Sequence, residues 1–433
     1  MIGGKLMKDI HVLLLNYSNS ATLRKALNSL SFIQHRVRDI TVLREKNSSL
    51  QLDISTINQE TKYVPLVQND LGKTLNNYIQ ELSCNYVLFL YDQDYLNSNI
   101  KNINLQLYDK RYVLTYPYAF KGKIIQRPFL IRTSFLKKTN FFSKYQIPFK
   151  EAILSAWLSR LEKSYIVNGN GDFINQRIKE DTTNTRQKLN FIEKYQYDLE
   201  QRINTPSLSV IISNYNMVQY VGTAISSCLL QSSPPEQILV IDDGSTDTSY
   251  KEMEKWKGIP IFKLFKEENR GKARSLNDLL PHIETDFVVE LDADDWFDPD
   301  AFSIIRNHLR DILDDVAVLY GNLRIWKQIR LGNVKYKGIK KGKIVSNKRE
   351  LLSYPFPLGP RVYRTSSLKR NNGFPITKFE GGRMYEDVSI LNELLKESRL
   401  LYKDFTVYNV REHELSITKK NRGNWSDFIK YLE

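Results

Sequence analysis

The chain has 433 residues, 41% of them hydrophobic and 26% charged, and 63 Lys+Arg against 49 Asp+Glu give a formal net charge of +14. Such a composition excludes a disordered tail and leaves room for two domains, each with its own core. Two cysteines and five histidines exclude a disulfide framework and argue against zinc, which fits a reducing, cytoplasmic compartment.

The first apolar run, His11 to Leu15, is much shorter than a signal-peptide core or the roughly 20 residues of a membrane span. No later run is long enough to span either. The excess of cations suggests anionic neighbours: nucleic acid, anionic lipid or phosphorylated small molecules. Nucleic acid is not expected, because no aromatic-basic recognition module is present. Peripheral contact with the inner face of an anionic membrane is open to such a chain.

The next feature in chain order is a long internal repeat. "HVLLLNYSNSATLRKALNSL" lies over "SVIISNYNMVQYVGTAISSC", with Asn16 on Asn214 and Tyr17 on Tyr215, a spacing of 198. "ITVL" from Ile40 falls on "ILVI" from Ile238 at the same spacing. "NYVLFLYDQDY" then matches "DFVVELDADDW" at 201, and "RTSFLKK" matches "RTSSLKR" at 232. One copy therefore occupies about 8–185 and the other about 206–420. Between them "QKLNFIEKYQYDLEQRI" predicts a connecting helix, dividing the chain into domains 1–185 and 206–433 joined by a helical linker, 186–205.

Within each copy, short apolar runs alternate with amphipathic helical stretches, the pattern of an α/β domain with a mostly parallel sheet. In the second copy the predicted strands are "SLSVIIS", "QILVID" and "DFVVELD", with helices near 218–231, 248–256 and 272–283. Open sheets of this kind bind ligands beyond the carboxyl ends of their strands. Acids gather there: Asp242 and Asp243 before the turn at Gly244, with Asp247 placed to cap the next helix, then Asp292, Asp294 and Asp295 in "VVELDADDW". If that strand persists, Asp292 and Asp294 share a face. Mutual repulsion makes such a cluster costly without a compensating cation, and a hard ion such as Mg²⁺ or Mn²⁺ suits it.

"VIISNYN", "LVIDDGSTD", "NRGKARSLN", "ELDADDW" and "YEDVSI", in this order, resemble a family 2 glycosyltransferase of the GT-A fold over most of 206–420. The resemblance implies two tandem GT-A (Rossmann-like) domains and a nucleotide-sugar donor, commonly a UDP-sugar. It places Tyr215 and Asp242 or Asp243 at the nucleobase and ribose, Asp292 near ribose and metal, and Asp294 as the metal ligand. It makes Asp387 the general base, with Glu386 the alternative. Lys272 and Arg274 become phosphate-side contacts at a helix start that would favour an anion. His413, with Arg411 beside it in "VYNVREHELSIT", approaches the diphosphate. The implied reaction is an inverting, Mn²⁺- or Mg²⁺-dependent sugar transfer to a glycan, glycoprotein or lipid-linked acceptor, as in bacterial glycan biosynthesis. It requires acids that are gathered around an ion and a nucleotide, neither splayed apart nor plugged by neighbouring lysines with no room for the ion and nucleotide.

The first copy keeps the strands and loses the acids. Arg44 and Glu45 correspond to Asp242 and Asp243, and Tyr91 and Gln93 to Asp292 and Asp294, although a one-residue shift would restore Asp92 and Asp94. Phe149 and Lys150 stand opposite Glu386 and Asp387. This copy is expected to be non-catalytic, serving acceptor binding, support of the second domain or homodimer formation. Rival readings are a sugar nucleotidyltransferase, whose glycine- and lysine-rich triphosphate loop is missing, and a non-enzymatic binding module, which the intact acids disfavour.

Overall fold

The computed structural model describes residues 8–46, 48, 61–176, 180–196, 205–414 and 424–432. The chain divides into two compact units, one of residues 1–144 with 150–196 and one of 145–149 with 197–433.

The first unit is built on β1 (Ile10–Leu15), β2 (Val37–Arg44), β3 (Thr61–Pro65), β4 (Tyr86–Tyr91), β5 (Tyr95–Leu96), β6 (Val113–Phe120), β7 (Lys123–Arg132), β8 (Ile166–Asn168) and β9 (Ile174–Asn175). Seven of these form one sheet in the order β3-β2-β1-β4-β7-β6-β8, while β5 pairs β9 alone. The central strands read "IHVLLL" and "YVLFLY" because both of their faces are covered. Helix Ser20–Ser29 starts where the Asn19 side chain accepts the free N–H groups of Ala21 and Thr22. Its Leu23, Ala26 and Leu27 join Ile10, Val12 and Leu88 in the core. Of the helix expected over 186–205, residues Thr183–Glu193 form one that lies against β7, and 197–204 fall outside the described residues.

The second unit contains β10 (Leu208–Asn214), β11 (Gln237–Asp243), β12 (Phe262–Glu267), β13 (Phe287–Glu290), β14 (Trp296–Phe297), β15 (Val316–Arg330), β16 (Asn333–Lys340), β17 (Val362–Arg364) and β18 (Arg399–Glu412). Their order is β12-β11-β10-β13-β17-β15-β18-β14, with β16 added on β15. The first seven positions repeat the first sheet strand for strand. In both sheets the first four strands are mutually parallel, the next two pairings are antiparallel and the last is parallel. The register agrees as well: Leu88 faces Leu130 in one sheet, and Val289 faces Val362 in the other. Those pairs carry the same offsets, 201 and 232, that align the two sequences.

Because β10, β11 and β13 run parallel, their C-terminal ends share one edge, where Asn214 is level with Asp242. Helices Val221–Leu229 and Lys272–Leu279 cover the sheet, burying Val221, Ala224 and Ile225 from one and Ala273, Leu276 and Leu279 from the other. Among the described residues no helix is long and apolar enough to cross a membrane. Cys84 and Cys228 are buried free thiols.

Candidate active site

The turn after β11 is held by its own acids. Asp242, fully buried, accepts from the Asn214 amide at 3.0 Å and the Ser245 hydroxyl at 2.6 Å. Asp243 accepts from the backbone N–H of Arg270 at 2.7 Å and of Gly271 at 3.0 Å, and burial raises its pKa above the ordinary carboxylate value. Both carboxylates thus organise the loops around them. Asp247 accepts from Ser249 N–H at 2.8 Å at the start of the following helix. Tyr215 stands beside this turn with 45% of its surface exposed, an open aromatic face at the strand end.

Strand β13 ends at Glu290, earlier than its sequence suggests. The next residues form a turn closed by Asp295 N–H to Asp292 C=O at 3.1 Å, so Asp292 and Asp294 do not share a strand face. The turn sends them to different partners. Asp292 meets the Lys272 ammonium at 2.5 Å and lies 3.4 Å from the Tyr408 hydroxyl, whereas Asp294 Oδ2 meets His413 Nε2 at 2.8 Å. Asp295, buried and anchored by Arg411 N–H at 2.8 Å, has its pKa pushed well up by burial and by the neighbouring anions Asp294 and Asp292.

Lys272 opens its helix behind Gly271, whose φ of 92° lies where only glycine is comfortable. Its ammonium lies 2.8 Å from Glu290, 2.5 Å from Asp292 and 3.2 Å from Glu386. Burial works against its charge, but the three carboxylates outweigh it and hold the pKa well above the ordinary lysine value. The lysine does plug Asp292, while Asp294 is left to His413.

Glu290 is the centre of a second set of contacts. Arg361 grips it through two bonds of 2.9 Å each, and Tyr363 donates at 3.2 Å. Burial opposes ionisation of Glu290, yet Arg361 and Lys272 hold its pKa well below the usual range. Arg361 also stands 3.6 Å from Asp387, joining the strand-end acids to the helix Glu386–Leu394. Tyr385 precedes that helix in the left-handed region, φ 58°, with its ring stacked on Phe428 at 4.5 Å. Burial raises the pKa of Glu386, against the opposing pull of Lys272.

Arg274 is turned away from this centre, donating to the carbonyls of Arg270 at 2.9 Å and Gly381 at 3.1 Å. Arg411 lies over the rings of Tyr220 and Trp296 and donates to the Asp294 carbonyl at 2.8 Å. Its burial lowers the pKa to about 10, against Asp295 and Asp294. The structure therefore brings Asp292, Asp294, Lys272, Glu386, Asp387 and His413 toward one strand-end region, with Arg411 supporting it from below and Arg274 outside it.

Glu290, Arg361, Tyr363 and Tyr408 were not singled out from sequence. Glu290 had a legible signal, an acid within an otherwise apolar buried strand. The others had none, since ordinary surface Arg and Tyr look the same in a one-dimensional reading.

One residue past the paired ends of these ladders the first unit has Phe89 and Phe129, both buried, where the second has Glu290 and Arg361. Asp94, the counterpart of Asp295, is taken up by Arg127 at 3.0 Å and by the Tyr116 hydroxyl at 2.5 Å. Arg127 stacks over Tyr118, with 3.8 Å from guanidinium to ring centre. Glu45 is paired with Lys150 at 3.2 Å.

In open, parallel-rich α/β sheets the edge beyond the strand ends, where these carboxylates, the lysine and the histidine gather, is where ligands bind. Residues 209–375 match the family described as "Glycosyl transferase family 2". The matched residues lie within the second unit, from β10 to just beyond β17. The chain is 34% identical over 116 residues to an uncharacterized glycosyltransferase of Haemophilus influenzae, covering 25% of this chain and 46% of that protein. It is 32% identical over 120 residues to a poly-beta-1,6-N-acetyl-D-glucosamine synthase of Staphylococcus epidermidis, 27% of this chain and 29% of that one. Among solved structures, S. aureus TarS 1–349 in complex with UDP aligns at a TM-score of 0.37 and 22% identity, over 48% of this chain and 60% of that one. The chain spans less than half the length of these curated relatives.

Proposed function

We infer that the second unit transfers a sugar, with inversion, from a nucleotide donor to a hydroxyl acceptor. The observation that carries this is the coincidence of the family match with the strand ends at which Asp292, Asp294, Lys272 and the Glu386–Asp387 pair converge. UDP-sugars are the donor class proposed, with a glycan, glycoprotein or lipid-linked acceptor.

A divalent cation is proposed at Asp294. Among the described residues no group of three or more His, Cys, Asp or Glu is already arranged around an ion, and Asp294 Oδ2 and His413 Nε2 are hydrogen-bonded to each other at 2.8 Å, so both would turn from each other to take one up. A carboxylate oxygen with an imidazole nitrogen suits Mn²⁺, and carboxylate with water suits Mg²⁺. Asp294 and His413 would hold the ion, which when bound supplies positive charge near the departing diphosphate.

The chain's own groups do the rest. Lys272, held by three carboxylates, offers a charged donor to a phosphate oxygen, and Asp292 is released to solvent or ribose as it does so. Tyr215 gives the base an exposed ring to stack on. Asp387, fixed by Arg361, takes the acceptor proton as the acceptor oxygen attacks the anomeric carbon. Asp242 and Asp243 act one step back, shaping the loop that the nucleotide meets.

Asp387→Asn is expected to abolish transfer and retain nucleotide binding. Donor hydrolysis across a panel of nucleotide sugars with Mn²⁺ or Mg²⁺, read beside nucleotide titration, tests this; an Asn variant with near-normal turnover refutes the assignment. We also infer that the first unit is non-catalytic. Apolar Phe89 and Phe129 in place of an ion pair, and an Asp94 already bound by Arg127, support that reading. The Asp387→Asn full-length chain should then show no residual metal-dependent hydrolysis.

A further inference from the structure

The positive charge of this protein is concentrated in one place. Between Val316 and Arg349 the sequence contains ten Lys and Arg and not one Asp or Glu, which accounts for most of the net +14. That segment is the β15–β16 hairpin, the irregular run after it and the start of helix Lys348–Leu352. Near the turn one face packs inward through Trp326, fully buried, and Val334, nearly so. Lys327, Lys335, Lys337 and Lys340 are exposed to solvent.

One feature of the exposed face is unfavourable for a surface that meets only water. The cross-strand pair Lys327 and Lys335 is offset by Glu412, level with Lys327 on β18, but Ile329, on the same face two residues from Lys327, is 55% exposed. Cations alone would suit any polyanion in solution. An aliphatic side chain set among them would gain nothing from a soluble polyanion, but it would gain from the boundary between headgroups and acyl chains.

We propose that this hairpin face docks the protein on an anionic membrane surface, with Lys327, Lys335 and Lys337 over the headgroups and Ile329 entering the interface. Complementary charge supplies the attraction and the isoleucine supplies the hold. The proposal is independent of the sugar-transfer reading, since vesicle binding needs neither donor nor turnover.

The test uses the full chain and co-sedimentation with vesicles of phosphatidylcholine alone or with phosphatidylglycerol added. Binding is expected only to the anionic vesicles and to weaken as salt rises. Neutralising Lys327, Lys335 and Lys337 to Gln should reduce affinity on the order of a hundredfold, ~fivefold for each lysine near the surface. Ile329→Ser should reduce it about fivefold at unchanged charge. Melting temperature serves as the control for folding, and both variants should melt close to the parent, because Lys327 stands between Lys335 and Glu412 and its neutralisation removes a repulsion and an attraction together. Equal binding to both vesicle types, or full binding by the Gln variant, overturns the proposal. So does a result in which the Ser variant binds vesicles normally while the Gln variant loses both vesicles and soluble polyphosphate; the face would then be a site for soluble polyanions.

Discussion

Glu290 and Arg361 show how much one position at the end of a ladder can carry. The pair is buried and doubly hydrogen-bonded, so removing one partner leaves a charge stranded in the interior. Arg361→Ala is expected to cost about 3–5 kcal/mol of stability, measurable by urea unfolding. The first unit holds Phe89 and Phe129 in the same register and needs no charge there. Combining Glu290→Phe with Arg361→Phe should therefore recover most of the loss in stability while leaving the enzyme inactive. If the double variant is no more stable than Arg361→Ala, the ion pair does more for folding than this comparison between the units implies.

At the scale of elements, the loops after β11 and before helix Lys272–Leu279 are locked together. Asp243 accepts from the backbone of Arg270 and Gly271, and the Asn269 amide donates to the Asp243 carbonyl at 3.1 Å. Gly244 makes this approach possible: its φ is 66°, and a Cβ there would overlap the backbone nitrogen of Asn269. Gly244→Ala should cost about 2 kcal/mol or more, from left-handed strain and displacement of that loop. Because Lys272 follows directly, donor affinity should fall as well, and isothermal titration with the nucleotide would reveal it. Unchanged affinity would separate the turn from the phosphate side of the site. Arg383, which donates to the Asn269 side chain, ties the segment before Glu386 into the same assembly.

At the scale of the whole molecule, acid stability should be set in part within the first unit, by a residue outside the candidate active site. His11 is buried on β1, hydrogen-bonded to Thr41 at 3.0 Å, and burial lowers its pKa from 6.5 to about 4, against the pull of Asp39. The unfolded chain takes up this proton near pH 6.5 and the folded chain only near 4. Stability present above pH 6.5 is therefore lost as pH falls toward 4, by ~3 kcal/mol in total. His11→Gln should flatten the thermal midpoint across that window; an unchanged slope would assign the acid sensitivity elsewhere. The duplicated sheet also works at this scale. Two units share strand order and register, yet one keeps a charged strand-end region and the other fills the equivalent place with aromatic side chains and a buried Asp94–Arg127 pair.

The sequence by itself determined the repeat, the alternation of strands and helices, and the arrival of acids at the strand ends, because periodicity and turn chemistry act between near neighbours. Glu386 and Asp387, singled out through the resemblance, open the helix Glu386–Leu394. Only the tertiary structure decided which cation meets which acid. Lys272 and Asp292 are 20 residues apart, Arg361 and Glu290 are 71 apart, and His413 and Asp294 are 119 apart. A strand ending two residues sooner than predicted, at Glu290 and not Asp292, then separated Asp292 from Asp294. Contacts of that range are made by the packing of the sheet, and no local pattern encodes them.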